Sequence, residues 1–372
     1  MGIFSLKKAL VACAVVAASA LFARDVWTCE QANEWFAKQK YRAGVNYVPS
    51  YAINSIEFWQ KESYNPKIID SELALLESLG MNTVRVFLND LVWKDDPEGF
   101  YKRLDNFLEI ADKHGAGVMF VFFTNGGKDN GKLGKQDGPN GTHNSNWRKT
   151  PSYSVLGDKS KWGYLEEYVK GVVSRYANDK RVLVWDIYNE PGHIKSPHVK
   201  GGGANLSEED VQRLRKMSLD FLEATAQWAR SCNPSQPITY GTFVPDSTPH
   251  GKMFNNLIYS QSDVISYHSY GNIIRQISRL KEARKHNRPV MCTEWMARPT
   301  GSCFNPVLKF LKQNNVWSYS FGLVAGKIET WRPSFDLSCP ELDSIWYHDI
   351  FKADHTPYEP TEVEYIKSVL KD

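Results

Sequence analysis

Much is missing from this sequence. It has no C-x-x-C pair and no His/Cys spacing of a metal site, which removes dithiol redox proteins and zinc modules from consideration. No G-x-G-x-x-G follows its first predicted strand, and no G-K-[ST] sits in its glycine-rich loop, so dinucleotide and phosphate cradles are excluded. A strong charge of one sign is missing too, since 45 Lys+Arg face 42 Asp+Glu for a net +3. That near-neutrality argues against a nucleic-acid or membrane-surface partner. Cysteine is scarce at 6 residues. After the first twenty or so positions, no apolar run approaches the ~20 residues that a membrane span needs.

The one long apolar stretch lies at the start. Lys7 and Lys8 precede Ala9 to Val16, and Ala17-Ala18-Ser19-Ala20 follow. This is the pattern of a secretory signal, read here as residues 1–23 with cleavage after Ala20 or Ala23. The expected mature protein, residues 24–372, is exported and monomeric, and losing the two lysines takes its charge from +3 to +1. Cys13 leaves with the signal, and export permits disulfides among the rest. The expectation is Cys303 with Cys339 and Cys29 with Cys232, leaving Cys292 as the free thiol in an apolar strand. Asn140-Gly141-Thr142 and Asn205-Leu206-Ser207 are glycosylation acceptors if the host glycosylates.

What is present is alternation. Apolar runs recur at 43–47, 83–88, 117–123, 182–188, 237–243, 263–268, 288–293 and 316–322, giving eight strand candidates. Helical segments separate them near 68–79, 160–177, 208–230, 272–286, 302–314 and 360–371, and 252–259 reads as a poor helix. Asp96-Pro97-Glu98 supplies an N-cap, an N1 proline and a first-turn acid, with Gly115 closing that helix. Inside it Phe100, Leu104, Phe107, Leu108 and Ala111 form one stripe. Eight strands alternating with helices predict an α/β fold, a single (β/α)₈ TIM barrel. The connections 124–159 and 323–359 are long enough to suggest function.

In such a barrel the chemistry sits at the carboxyl ends of the strands. Strand two carries Arg85 and runs into Asn89-Asp90. Strand four ends in Asn189-Glu190-Pro191, strand six in His268-Ser269-Tyr270, strand seven in Thr293-Glu294-Trp295. Two facing carboxylates of this kind suit retaining glycoside hydrolysis, one as acid/base and one as nucleophile. Their surroundings must differ, so that one can be protonated while the other stays ionised. Alternation predicts that residues 186, 188 and 190 share an inward face, as do 292 with 294 and 268 with 270. Arg85 is expected to meet Glu294, Asp186, or both. The aromatic content, 13% with 12 Trp, offers sugar-stacking rings or a Trp-rich core; Trp295 is the first stacking candidate, with Trp59, Trp93, Trp147 and Trp331 behind it.

W-D-I-Y-N-E-P on strand four and C-T-E-W on strand seven make the chain resemble glycoside hydrolase family 5, the cellulase-like family. G-V-N-Y, N-T-V-R-V-F-L, H-S-Y and G-L-V-A-G-K extend the resemblance over nearly the whole mature chain. It implies an O-glycosyl hydrolase acting on a β-linked glycan, an endo-β-1,4-glycanase such as a cellulase or mannanase, with no metal and no cofactor. It also implies Glu190 as acid/base, Glu294 as nucleophile, Asn189 as the partner of the sugar 2-hydroxyl, and Arg85 and Tyr270 as supports of Glu294 with His268 beside them. The family's His after strand three would have to be His143 folding back. Its Trp at the end of strand eight is Phe321 here, so Trp317 or Trp331 would substitute. The same residues would serve a transglycosylase, and a non-catalytic sugar-binding barrel is the reading from another class. The residues leave open which glycan is used and whether attack is internal or at chain ends.

Overall fold

The computed structural model describes residues 23–194, 206–242, 249–333 and 344–371. The signal segment apart from Ala23, Asn205 and Cys339 lie outside these residues.

Eight parallel strands carry the fold: β1 (Ala43–Asn46), β2 (Thr83–Phe87), β3 (Gly117–Thr124), β4 (Val182–Asn189), β5 (Ile238–Thr239), β6 (Ile265–Ser269), β7 (Val290–Trp295) and β8 (Trp317–Phe321). Their order in the sheet is β5-β4-β3-β2-β1-β8-β7-β6. Between β5 and β6 the ring is bridged by Asp263 N to Ile238 O at 2.8 Å and His268 N to Thr242 O at 2.9 Å. The result is an eight-stranded near-barrel with helices in between. Nearly every strand residue is buried, as expected when helices cover one face and the barrel interior the other.

The helices follow their caps. The helix Pro97–Lys113 starts where the Asp96 side chain accepts from Gly99 N at 2.9 Å, and its buried residues include the whole predicted stripe. Gly115 follows it at φ +67, a left-handed position that costs glycine nothing. Low in the barrel, Met119, Val184, Val264, Met291, Trp317 and Tyr319 form the inner core. Trp35 and Phe36 of the helix Cys29–Ala37 close it from below, with rings 5.6 and 5.3 Å from Trp317. Trp317 is therefore a plug at the foot of the barrel, far from the strand ends.

Three expectations need correction. The segment judged a poor helix is helical, as Pro249–Gln261, because Phe254, Asn255 and Ile258 bury against the barrel and override weak local propensity. Strand five spans two residues, since the chain leaves the ladder at Tyr240 while side-chain and backbone bonds to β6 take over. Cys29 and Cys232 are not bridged: the Cys29 thiol donates to His286 O and the Cys232 thiol to Lys170 O and Trp228 O, at different places on the surface. Cys292 is a buried free thiol and Cys303 a partly buried one. Among the described residues no helix is long and apolar enough to cross a membrane.

Candidate active site

The buried guanidinium of Arg85, at the middle of β2, organises the barrel mouth. Its Nε and Nη2 donate to Asp186 Oδ2 at 3.0 and 2.8 Å, and Nη2 also reaches Asn189 Oδ1 at 2.6 Å. Nη1 donates to Asn46 Oδ1 at 2.7 Å and to Glu294 Oε1 at 2.8 Å. One planar cation thus joins the ends of β1, β2, β4 and β7, a task that suits its fork of fixed donors. Both partners expected for Arg85 are present at once. Asn46 was missed; it closes the G-V-N-Y motif, and its Nδ2 donates to Thr293 O at 2.8 Å, tying β1 to the strand end that carries Glu294.

Glu294 is 5% exposed. Besides Arg85 it accepts from Tyr270 Oη at 2.7 Å on Oε2. Burial and the neighbouring Glu294 carboxylate push the Tyr270 phenol well above its ordinary range, so it remains a donor. A carboxylate held by a guanidinium and a phenol is fixed in place.

Glu190 has different company. Its backbone takes φ +49, and its N–H bonds Gly241 O at 3.0 Å. Oε1 accepts from His268 Nδ1 at 2.8 Å and Oε2 from His193 Nδ1 at 3.1 Å. Burial alone would raise this carboxyl, but the two imidazole hydrogen bonds outweigh it and hold Glu190 below the usual carboxylate range. A side chain at Gly241 would meet His268 Nε2 at 2.7 Å, so the glycine there makes room for the imidazole. One donor atom from each of Glu190, His268 and Glu294 lies within 4.8 Å of the others. These three are also the described groups close enough to share a cation, though Arg85 already neutralises Glu294 there. An approach of one oxygen from each carboxyl to within 4.8 Å is compatible with the ~5–5.5 Å separation of a retaining pair.

The route by which these groups reach the mouth departs from simple alternation. Tyr188 faces the helix Glu208–Ser231, with its Oη 2.7 Å from Ser218 Oγ, so residues 186, 188 and 190 do not share a face. Asn189 turns inward instead, and the left-handed Glu190 backbone brings the next side chain in beside it. In β7, Met291 lies in the inner core while the Cys292 thiol points to Gln276 Oε1. The register shift between Cys292 and Trp295 then returns Glu294 to the interior.

The cavity over the pair is lined by Asn46, Val48, Phe87, Thr124, Gly126, Gly127, Asn144, Trp147, Asn189, Phe321 and Ile328 besides the two glutamates. The long loops after β3 and β8, flagged for their length, both contribute. They are clasped together by Ser145 N to Ile328 O, Gly141 N to Glu329 Oε2 and His143 Nδ1 to Arg332 O, each at 2.8 Å. Trp147 packs edge-on against Phe87 with centroids 5.4 Å apart and presents the large ring of the wall. A second, more polar opening, lined by Asp129, Lys132, Lys135, Gln136, Asp137 and Arg148, lies away from both carboxylates.

Three expected sugar contacts lie elsewhere. Trp295 is 1% exposed and packs edge-on against Phe304 at 5.1 Å, because the residue after the inward Glu294 must face the helices. Trp331 lies beside Trp346 at 5.4 Å, under the Arg332 guanidinium, outside the cavity wall. His143 does fold back, but onto Tyr347 and His348, with ring centroids at 5.4 and 5.1 Å. Burial lowers its pKa to about 4, so it is a neutral packing group. His348, which the sequence did not single out, fills the gap between Tyr270 and Phe321 at 5.5 and 5.0 Å.

Residues 41–320 match the family described as Cellulase (glycosyl hydrolase family 5). The chain belongs to glycosyl hydrolase family 5. Among curated proteins it is 26% identical over 173 residues to a probable mannan endo-1,4-beta-mannosidase F of Aspergillus flavus, covering 41% of this chain. That alignment spans 33% of the relative's own length. Among solved structures, a variant of GH5_18 from Streptomyces cattleya in complex with Manβ1-4GlcNAc superposes with a TM-score of 0.59 at 16% identity, over 89% of this chain and 80% of that one. The β-1,4-D-mannanase from Cryptopygus antarcticus gives 0.54 at 13% identity, over 76% and 84%. At these identities the structures show a shared fold.

Proposed function

We propose that the protein is a retaining β-glycoside hydrolase whose substrate is a β-1,4-linked glycan, a mannan before a glucan. The observation that carries this reading is the pair of carboxyls, brought close together yet held by different partners, Glu294 by a guanidinium and a phenol and Glu190 by two imidazoles. Glu294, fixed by Arg85 and Tyr270, attacks the anomeric carbon as nucleophile. Glu190 gives a proton to the leaving oxygen and then takes one from the water that frees the sugar. Asn189 has its carbonyl turned to Arg85 and one N–H on Thr124 Oγ1 at 3.3 Å, which leaves the other for the sugar 2-hydroxyl. The mannan preference rests on the names of the relatives, among them the endo-mannosidase and the mannanase. The Lys7-Lys8 and alanine-rich start supports export, where such a polymer would be met.

The test is release of reducing ends from soluble β-mannans, β-glucans and xylans by wild type, Glu190→Gln and Glu294→Gln. One polymer cut by wild type and by neither variant, with the β-anomer released first by proton NMR, is the expected result. An α-anomer as first product would contradict double displacement.

A further inference from the structure

Glu190 must carry a proton to act as an acid, yet two imidazoles hold it as a carboxylate. We propose that His193 is the solvent-linked proton partner of Glu190, storing the proton that Glu190 delivers to the leaving oxygen. This rests on Glu190 being the acid/base.

The residues Glu190-Pro191-Gly192-His193 form a tight turn, with His193 N donating to Glu190 O at 3.1 Å. Proline second and a positive-φ glycine third is the type II pattern, and Gly192 has φ +79. A Cβ there would also lie 2.4 Å from the Phe254 ring, so the turn needs its glycine twice over. The turn swings the His193 ring back onto the carboxyl that precedes it, Nδ1 on Oε2, while His268 occupies Oε1. The two imidazoles differ in access. The His268 side chain is 0% exposed and the His193 side chain 42%, so of the two only His193 can exchange protons with bulk water.

Around this pair also stand Tyr270 on β6, Glu294 on β7, Arg85 on β2 and His250 on the helix Pro249–Gln261. Arg85 spends its donors on Asp186, Asn189, Asn46 and Glu294. His250 Nε2 stands 3.4 Å from Gly192 O, and burial, helped by Arg215, lowers its pKa. Neither supplies Glu190 with a proton.

With one proton in the pair, the resting form is His193 imidazolium and Glu190 carboxylate. A glycan covering the mouth displaces water, and the neutral alternative gains ground because an ion pair is costly where solvent is excluded. The Nδ1 proton then passes to Glu190 Oε2, leaving His193 neutral with its proton on Nε2. As the C1–O bond breaks and its electrons go to oxygen, Glu190 gives that proton to the leaving oxygen. In the second step Glu190 takes a proton from the attacking water and hands it back to His193. The last proton leaves such a pair above the ordinary imidazole value of about 6.5, whereas a carboxyl without His193 loses it nearer the carboxylate range.

The experiment compares His193→Gln and His193→Ala with wild type on two substrates. One is an unactivated β-linked oligosaccharide that the wild type cleaves. The other is the dinitrophenyl β-glycoside of the same sugar, whose leaving group needs no acid, followed as the first-turnover burst. The oligosaccharide kcat/KM should fall at least about tenfold, within the range of general acid catalysis, and the basic limb of its pH profile should move down by about one unit or more. The burst should stay within about twofold. Equal losses on both substrates, or an unmoved basic limb, overturn the proposal and make His193 a packing residue. Glu190→Gln is run alongside: if it keeps oligosaccharide cleavage, the assignment of Glu190 itself fails, a different outcome from a silent His193.

Discussion

Replacing Arg85 by lysine keeps the charge and removes the fork. Arg85 makes five hydrogen bonds to four partners, and an ammonium has about three donors, so at least two are lost. Asp186 suffers most, because among the described residues its other oxygen receives only Gly241 N–H at 3.3 Å. Net contributions of hydrogen bonds to charged groups are about 1.5–3 kcal/mol each, and breaking a buried ion pair costs about 3–5 kcal/mol. Arg85→Lys should therefore lose about 3–5 kcal/mol in guanidinium unfolding, seen as a lower midpoint with an unchanged slope. Its kcat/KM should drop at least about 100-fold, since Glu294 loses its anchor. A companion variant, Arg85→Met with Asp186→Leu, removes both charges of the Arg85–Asp186 pair, leaves Glu294 without its guanidinium, and should recover part of the stability but none of the activity. A stability loss below about 1 kcal/mol for Arg85→Lys would refute the reasoning. So would recovered activity in the double variant.

Other expectations follow from single contacts. Tyr270→Phe removes the phenol hydrogen bond to Glu294 and should lower kcat/KM about 10–100-fold with little change in KM, read in steady-state kinetics; a KM effect alone would place Tyr270 in substrate binding. Trp147→Ala should weaken sugar binding by calorimetry by about 1–2 kcal/mol if the ring meets the sugar face, whereas Trp295→Ala should lower stability and leave intrinsic sugar contacts alone. Burial raises the Asp349 pKa to about 7 from 3.8. A raised folded value means stability that is full below the unfolded pKa and is lost as pH climbs toward and through the folded one. Up to ~4 kcal/mol should therefore disappear between about pH 4 and 8, and Asp349→Asn should flatten that part of the stability curve. Iodoacetamide without prior reduction should label both Cys29 and Cys232 in the unfolded chain, which a disulfide between them would prevent.

The strand-end groups were legible because a parallel barrel forces its chemistry there. Arg85, Asn189, Glu190, His268, Tyr270 and Glu294 converge as the strand count required. Alternation was the wrong guide within the last two residues of β4 and β7, where a left-handed Glu190 and a register shift decide which side chain faces in. Trp295 was misjudged for that reason: sharing a strand end with Glu294 put it on the opposite face. The cavity wall was out of reach in a different way. Trp147 and Ile328 lie about 180 residues apart in sequence, and only the clasp of the two long loops brings them together. His193 did have a signal, since Pro-Gly after Glu190 spells a tight turn, and a turn of that type returns the fourth residue to the first.

In double displacement Glu294 becomes bonded to sugar while Glu190 moves protons. Incubating the protein with a 2-deoxy-2-fluoro β-glycoside of the sugar it cleaves, followed by peptide mass spectrometry, tests this directly. One sugar mass is expected on the peptide carrying Glu294, and none in Glu294→Gln. A label on Glu190, or on neither residue in a protein that turns over the unfluorinated substrate, would contradict it.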